Sequence, residues 1–209
     1  MLKKRWWFIW GFLIIVALKL ALIFDSQIVQ FVSSLRNYYL NIFFLGIKFI
    51  DSEIAIVLLL TLILFWKKGK RDWIFPLWAI ILATAIVSIA LKYFVQRPRP
   101  FAQGVISLLP GVADKASYHI WDFSFPSFDT ALVFCAVPVV WKFFPRFRYV
   151  WIVFASLVGL SRLYIGVHFM SDVIFGGVMG FLIGILVVRG EEKNHLLKKL
   201  YRKTIKFKK

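Results

Sequence analysis

The chain has 209 residues, of which 61% are hydrophobic and 19% aromatic, and its formal net charge is +17. A soluble domain of this length has too little interior to bury so much apolar surface, so the composition indicates a membrane protein. The positive charge does not indicate a nucleic-acid-binding protein, because the Lys and Arg residues flank the apolar segments. That arrangement is typical of charges that orient membrane helices.

Six apolar segments approach the roughly 17–25 residues with which a helix crosses a bilayer. In chain order they are Trp6–Phe24, Glu53–Trp66, Trp73–Val95, Thr130–Phe144, Tyr149–Arg162 and Val173–Val188. The shorter ones need flanking residues to reach across. We therefore predict an all-α fold, a six-helix transmembrane bundle that forms one domain over residues 1–209, with a basic tail at residues 190–209.

Residues 27–50 separate the first two predicted spans and are ambiguous. The run is apolar, but four polar residues interrupt it: Ser33, Ser34, Arg36 and Asn37. A seventh span and an amphipathic helix lying at the membrane interface are both compatible with this pattern. We favour the interfacial helix because of the polar interruption.

The Lys and Arg residues are distributed unequally between the two sides of such a bundle. The N-terminus, residues 67–72, residues 142–148 and the chain from Arg189 onward hold 19 of the 27. By the positive-inside rule this side faces the cytoplasm, so both termini are predicted to be cytoplasmic. We interpret the basic tail as an anchor to anionic lipid headgroups rather than as a nucleic-acid-binding segment. No small-residue cleavage site follows residues 1–24, which favours a first span over a signal peptide.

Reactive side chains gather at the opposite, outer ends of the third, fourth and fifth predicted spans. In chain order they are Lys92, Arg97, Arg99, Ser127, Asp129, Arg162, His168 and Asp172. A single Lys or Arg at a helix end is most simply a side chain that reaches the headgroups. Ionisable residues that converge beside several spans, however, indicate a functional site. His168 and Asp172 are four residues apart and share one face if that segment is helical.

These residue types together suit phosphoryl transfer. Two guanidinium groups and an ammonium can hold phosphate oxygens, and arginine can do so with two parallel hydrogen bonds. An unprotonated histidine can attack phosphorus, and a neighbouring carboxylate can fix its tautomer. No acidic cluster suits a catalytic metal, and the cations would repel one, so we predict a reaction without a metal or cofactor.

The same residues resemble the signature of the type 2 phosphatidic acid phosphatase (PAP2) superfamily of integral-membrane lipid phosphatases. That signature has three blocks, K-x6-R-P, P-S-x-H and S-R-x5-H-x3-D. Residues 92–100 match the first block and residues 161–172 match the third, within a similar region of about residues 50–190. The order of the blocks and their positions at outer span ends also agree with the family.

The resemblance implies a role for each matched residue. His168 would be the nucleophile that forms a phosphohistidine, and Asp172 would orient it. The implied phosphate-binding residues are Lys92, Arg99, Ser127, Phe128 and Arg162. Arg97 lies outside the signature, and we interpret it as a residue at the rim of the site.

The second block departs from the family pattern. Residues 126–129 read PSFD, so Asp129 stands where the family has the histidine that protonates the leaving oxygen. Keeping an ordinary aspartic acid protonated at pH 7 costs about 4 kcal/mol. Two substitutes are conceivable, namely Asp129 with its pKa raised by burial, or His119 from the outer loop. We predict a phosphatase scaffold impaired at protonation of the leaving group; a working natural variant, a natural loss of activity and a deliberate inactivating substitution all fit the sequence.

The resemblance implies removal of phosphate from a lipid phosphate or diphosphate at the outer face of a cell membrane. Candidate substrates are undecaprenyl diphosphate, which we favour, phosphatidylglycerol phosphate, phosphatidate and a lipid A phosphate. The oligomeric state stays open, as do two other functions. A lipid phosphotransferase would share the phosphohistidine, and a non-catalytic binding protein would hold lipid phosphate without cleaving it. Vanadium haloperoxidases share related blocks but are soluble, which the predicted spans oppose.

Overall fold

The computed structural model describes residues 2–50, 53–67, 69–110, 112 and 123–206. The regular structure of these residues is helical, which confirms the predicted all-α fold for the described part of the chain. The helices are α1 (Leu2–Ser34), α2 (Tyr38–Ile50), α3 (Glu53–Trp66), α4 (Ile74–Val95), α5 (Phe128–Cys135), α6 (Val137–Phe143), α7 (Arg148–Ile165), α8 (Met170–Asn194) and α9 (Leu196–Lys206). A 3₁₀ turn, Arg71–Trp73, leads directly into α4.

Four helical segments are long and apolar enough to cross a membrane alone, namely Gly11–Ser34, Arg71–Val95, Arg148–Ile165 and Met170–Asn194. The pair Tyr38–Ile50 and Ala55–Trp66, bent by 56°, meets the same criterion together. α5 and α6 are shorter, because the helix is interrupted at Ala136 and Pro138 in the first turn of α6 has no backbone N–H to donate. The described residues therefore form a membrane helical bundle with four or five candidate spans, fewer than the six predicted.

The interfacial helix predicted over residues 27–50 is wrong in its first part. α1 continues without interruption to Ser34, past the predicted end of the first span at Phe24. Ser33 and Ser34 do not break the helix, because their hydroxyl groups donate to carbonyls three residues earlier, at 2.8 and 2.7 Å. α2 is a separate helix that packs on α7, with the ring of Phe44 stacked on Tyr164 at a centroid distance of 4.3 Å.

The helix termini collect at two opposite ends of the bundle. One end, here called the His168 end, contains the C-terminus of α4, the N-terminus of α5 and the loop between α7 and α8. The other, here called the basic end, contains the 3₁₀ turn, the C-termini of α6 and α8, and α9. Contacts between elements tie the basic end together: the Lys70 ammonium donates to the Phe143 carbonyl at 2.8 Å, and Arg202 pairs with Asp72 at 2.8 Å.

α5 packs against α8 through a line of glycines. Gly176, Gly180 and Gly184 recur every four residues and therefore lie on one face of α8. A Cβ atom at Gly180 would lie 2.1 Å from the carbonyl oxygen of Ala131, and Cβ atoms at the other two would lie 2.5 and 2.3 Å from carbonyl oxygens of the same neighbouring segment. Small residues at this spacing let two membrane helices approach closely. The contact places the first turn of α5 beside the first turn of α8, where the candidate site lies.

The substitution Gly180→Ala is expected to destabilise the bundle, because the added methyl group collides with backbone that cannot rotate away. We expect a loss of about 1–3 kcal/mol, seen as a lower thermal unfolding temperature in detergent. Gly190→Ala is the matched control, since it lies in the same helix with nothing within 4 Å of its added Cβ. Equal unfolding temperatures for the two variants would contradict the close packing of α5 on α8.

Candidate active site

His168 lies on the short loop that joins α7 to α8. Gly166 ends α7 in the left-handed region with φ +93°, and the N–H groups of Gly166 and Val167 return to the Arg162 carbonyl at 3.2 and 3.1 Å. The His168 side chain is buried, and its Nδ1 lies 2.7 Å from the carbonyl oxygen of Ser124. A carbonyl only accepts hydrogen bonds, so Nδ1 carries the proton and Nε2 keeps its lone pair.

The protonation state of His168 suits a nucleophile. Burial is the main cause that lowers the pKa of His168 to about 4. The positive charges of Arg99 and Lys92 act in the same direction, and Asp172 acts against them. The ring is therefore neutral at neutral pH, which is the form that can attack phosphorus.

Asp172 lies in the first turn of α8 and is fully buried. Its Oδ2 accepts hydrogen bonds from the Phe169 backbone N–H, at 2.8 Å, and from the Ser124 hydroxyl. The same Oδ2 is 3.9 Å from Nδ1 of His168, which is too long for a hydrogen bond. The structure differs here from what the resemblance implies, because the Ser124 carbonyl accepts the ring proton. Asp172 acts on the ring through its charge.

Arg97 is not a rim residue, as the sequence suggested, but the centre of an ionic network. Its guanidinium pairs with Asp172 and with Asp25 of α1, each at 2.8 Å. Its guanidinium carbon lies 4.0 Å from the ring centroid of Phe169, in a cation–π contact. The side chain is 22% exposed, whereas both carboxylates are buried. The single guanidinium of Arg97 therefore pairs with two buried carboxylates on two different helices.

Sequence reasoning missed Asp25. This residue is buried within α1, and besides the pair with Arg97 it accepts the backbone N–H of Ser171 at 2.9 Å and the Ser171 hydroxyl. The predicted first span stopped one residue earlier, at Phe24, and so left Asp25 outside. A carboxylate within an otherwise apolar helix was the available signal.

The predicted phosphate-binding cations lie at the same end of the bundle. Lys92 is in the last turn of α4, and its ammonium donates to the Phe123 carbonyl. Arg162 is in the last turn of α7 and is buried. Burial lowers the pKa of Arg99 to about 10, which leaves its guanidinium charged at neutral pH. Lys92 and Arg99 both act electrostatically on His168, so the structure brings these cations around the ring.

Ser127 and Phe128 form the N-terminus of α5. Ser127 is fully buried; its backbone N–H donates to the Asp172 carbonyl at 3.1 Å, and its hydroxyl oxygen lies 2.9 Å from that of Thr130. The Phe128 ring packs against the hydrophobic core. Any contact of Phe128 with phosphate would therefore come from its backbone. First-turn N–H groups have no acceptor within their own helix, and a helix N-terminus favours anions.

Asp129 follows in the first turn of α5, one residue before the predicted span that begins at Thr130. Its Oδ2 lies 3.4 Å from Nη1 of Arg162, and its side chain is 23% exposed. Burial alone raises the pKa of Asp129, but the surrounding charges, above all Arg162, outweigh burial and hold it below its ordinary value. This is opposite to the raised pKa that a general acid requires. His119, the other substitute considered from the sequence, lies outside the described residues.

Asp25→Asn is expected to destabilise the His168 end, because it removes one partner of a buried ion pair. Arg97 is partly exposed, so we expect a loss near the lower limit for such pairs, about 3 kcal/mol, seen in thermal unfolding in detergent. Lys19→Gln is the control, an exposed charge in the same helix, with an expected change of about 0.5 kcal/mol or less. An unfolding temperature equal to that of the parent protein would show that Asp25 contributes nothing.

Comparison with known proteins finds relatives of the whole fold. Phosphatidylglycerophosphatase B of Bacillus subtilis (strain 168) is 28% identical over 185 residues, which cover 81% of this chain and 84% of that protein. The bacitracin transport permease protein BcrC of Bacillus licheniformis is 28% identical over 144 residues, 68% of each chain. The crystal structure of Aquifex aeolicus LpxE superposes with a TM-score of 0.64 at 28% identity, covering 79% of this chain and 94% of that one. The family model described as the PAP2 superfamily matches residues 72–196, more than half of the chain. The protein therefore belongs to the PAP2 superfamily of membrane lipid phosphatases.

Proposed function

We propose that the protein removes phosphate from a membrane lipid phosphate or diphosphate, with His168 as the nucleophile. The observation that carries this proposal is the state of His168, neutral and buried with its Nδ1 proton held by the Ser124 carbonyl. Its Nε2 lone pair is then available beside Lys92 and Arg99. Family membership supports the reaction class, and the name of the Bacillus subtilis relative supports phosphatidylglycerol phosphate as a substrate beside undecaprenyl diphosphate.

The reaction would proceed in two displacements at phosphorus. In the first, the Nε2 lone pair of His168 forms the N–P bond, and the P–O bond to the lipid breaks with its electron pair on the leaving oxygen. The ring keeps its proton on Nδ1, and the positive charge that develops on the ring is stabilised by the buried carboxylate of Asp172, 3.9 Å away. The leaving oxygen then takes up a proton, from solvent where Asp129 is ionised. In the second displacement, water attacks phosphorus, the N–P bond breaks with its electron pair returning to Nε2, one proton of the water passes to solvent, and inorganic phosphate leaves. Lys92, Arg99 and Arg162 would hold the phosphate oxygens throughout.

The proposed orientation places His168 at the outer face of the membrane and both termini in the cytoplasm. Six passes satisfy this arrangement if the bent pair α2–α3 and the broken pair α5–α6 each count as one, together with α1, α4, α7 and α8. The basic end, with Lys70, Arg148 and the whole of α9, then faces the cytoplasm, as the positive-inside rule requires. A lipid phosphate in the outer leaflet would meet the site at headgroup depth.

Asp129 would impair this reaction because two protonation requirements conflict. Leaving-group protonation needs a neutral Asp129, which requires a pH below its lowered pKa. Nucleophilic attack needs a neutral His168, which requires a pH above about 4. At neutral pH His168 is neutral but Asp129 is ionised, so only a small fraction of molecules carries both groups in the productive state. An ionised Asp129 also places negative charge beside the incoming phosphate.

A second function, binding of lipid phosphate without turnover, is supported by the same carboxylate. The ion pair of Asp129 with Arg162, at 3.4 Å, weakens one of the three proposed phosphate-binding cations, but Lys92 and Arg99 remain while leaving-group protonation is missing. Such a protein would bind lipid phosphate without releasing inorganic phosphate. The two functions differ in one measurable respect, namely whether phosphate is released.

Asp129→His is expected to raise phosphate release from phosphatidate and phosphatidylglycerol phosphate by roughly 10²–10⁴-fold, the usual contribution of a general acid. The measurement is inorganic phosphate release in detergent micelles. Asp129→Asn is the matched control, because it removes the negative charge without supplying an acid, and should strengthen binding with little gain in turnover. His168→Ala in the Asp129→His background should abolish release. Activity that survives His168→Ala would refute the nucleophile, and silence of every variant would favour the binding function.

Relative to Asp129→His, the parent protein is expected to be less impaired on a lipid diphosphate than on a lipid monophosphate. A phosphate leaving group needs less protonation than an alkoxide, so the missing acid matters less for undecaprenyl diphosphate. The measurement is the ratio of kcat/KM for Asp129→His over the parent on each substrate. A ratio that is equal for the diphosphate and for phosphatidate would contradict leaving-group protonation as the impaired step.

A further inference from the structure

A cavity lined mainly by charged residues lies at the basic end, at the opposite end of the bundle from His168. It has a volume of about 260 Å³ and is lined by Asp72, His195, Lys198, Lys199 and Arg202. None of these residues belongs to the candidate active site or to the PAP2 signature. The cavity is formed where α9 folds back from the end of α8 onto the 3₁₀ turn before α4.

α9 is held in a defined position over this cavity. The buried carboxylate of Glu191, near the end of α8, accepts the backbone N–H groups of Leu197 and Lys198, each at 3.0 Å, and so caps the N-terminus of α9. Farther along, the buried Tyr201 meets the ring of Phe75 of α4 edge to face, at 5.3 Å between centroids. These contacts fix the basic side chains of α9 on a rigid support, which lowers the entropy that they would lose on binding a ligand.

The charges of the cavity favour an anion. Lys198, Lys199 and Arg202 supply three positive charges, and Asp72 supplies one negative charge that Arg202 already engages at 2.8 Å. The Lys198 ammonium lies 4.0 Å from the ring centroid of Trp73 and 3.5 Å from Nδ1 of His195. Neither of those neighbours carries a full negative charge, so the site is net positive before any ligand binds.

Apolar residues beside the cavity indicate that the anion is part of a lipid. Leu196 and Leu200 are 68% and 52% exposed and lie one helical turn apart on α9, next to its cations. A helix that presents leucines beside Lys and Arg is the pattern of a helix lying at the surface of an anionic membrane. Large aromatic residues, which favour the membrane interface, are exposed at the same end of the molecule, including Phe147 and Tyr149.

We propose that this cavity binds the phosphate-bearing headgroup of an anionic phospholipid from the leaflet next to the basic end. Lys198, Lys199 and Arg202 contact the headgroup, and Leu196 and Leu200 enter the acyl region beside it. Asp72 holds Arg202 in place on one side, at 2.8 Å. The lipid bound here is not a substrate, since the site lies at the end of the bundle opposite His168, and the proposal stands whether or not the protein is an active phosphatase.

The test measures binding of phosphatidylglycerol to the protein in detergent, and native mass spectrometry detects the bound lipid. Lys198→Gln combined with Lys199→Gln is expected to weaken phosphatidylglycerol binding by roughly thirty-fold, from the usual contribution of each basic residue near anionic lipid. The matched control removes two exposed charges that do not line the cavity, Arg146→Gln with Lys203→Gln, and should change binding less than about twofold. Binding at the His168 end would be common to all variants and would not obscure the difference.

A single charge reversal guards against misfolding of the double variant, because Lys198 also packs on Trp73. Lys199→Glu should weaken phosphatidylglycerol binding, whereas Lys203→Glu on the same helix should not, with unchanged unfolding temperatures for both. An equal loss in cavity and control variants would overturn the proposal, since it would indicate only diffuse attraction to the basic end. Equal binding of zwitterionic phosphatidylcholine, or complete displacement of the lipid by inorganic phosphate, would also overturn it.

Discussion

The structure of the His168 end depends on burying the carboxylate of Asp172. An isolated buried carboxylate is too costly to keep, so every oxygen must meet a donor. Arg97, the Ser124 hydroxyl and the Phe169 N–H meet this requirement. Each donor comes from a different part of the chain, and each is thereby fixed relative to α8. The carboxylate that lies 3.9 Å from Nδ1 of His168 is thus also the group that holds the surrounding segments together.

Two of the groups that donate to Asp172, Ser124 and Arg97, also bond to other parts of the molecule. Ser124 bonds Asp172 through its hydroxyl and His168 through its carbonyl, so one residue sets both the tautomer of the ring and the position of the carboxylate. Arg97 extends the network to Asp25 and thereby fixes α1, many of whose described apolar side chains are exposed, against the His168 end. The glycine face of α8 completes the arrangement, because only a close approach of α5 lets the Ser127 N–H reach the Asp172 carbonyl. The close packing of α5 on α8 and the ion pairs of Arg97 therefore both fix the position of Asp172.

The sequence predicted the helical class, the membrane and the end of the bundle at which the reactive residues meet, because hydrophobic length and span-end position determine those features. It did not predict where the helices end. α1 continues beyond the predicted end at Phe24 as far as Ser34, and hydropathy does not change at Ala136, where the helix is interrupted. Nor could a motif reveal that a backbone carbonyl, that of Ser124, accepts the His168 proton, since motifs contain side chains only. Asp25 and Arg97 were visible as residues, but their pairing joins positions 72 apart and depends on the tertiary packing of α1.

Asp129 changes two properties of the site, and the two are separable. In the proposed reaction, its pairing with Arg162 would weaken the hold of that cation on phosphate and so lower the affinity for an anionic substrate. Its lowered pKa would leave it ionised at neutral pH, which would slow departure of the leaving group. The first effect acts equally on ground state and transition state, so it falls on KM, whereas the second acts only in the transition state and falls on kcat. Asp129→Asn would restore the affinity for substrate without supplying an acid. Comparing its KM and kcat with those of Asp129→His would therefore separate the contribution of Asp129 to binding from its contribution to catalysis.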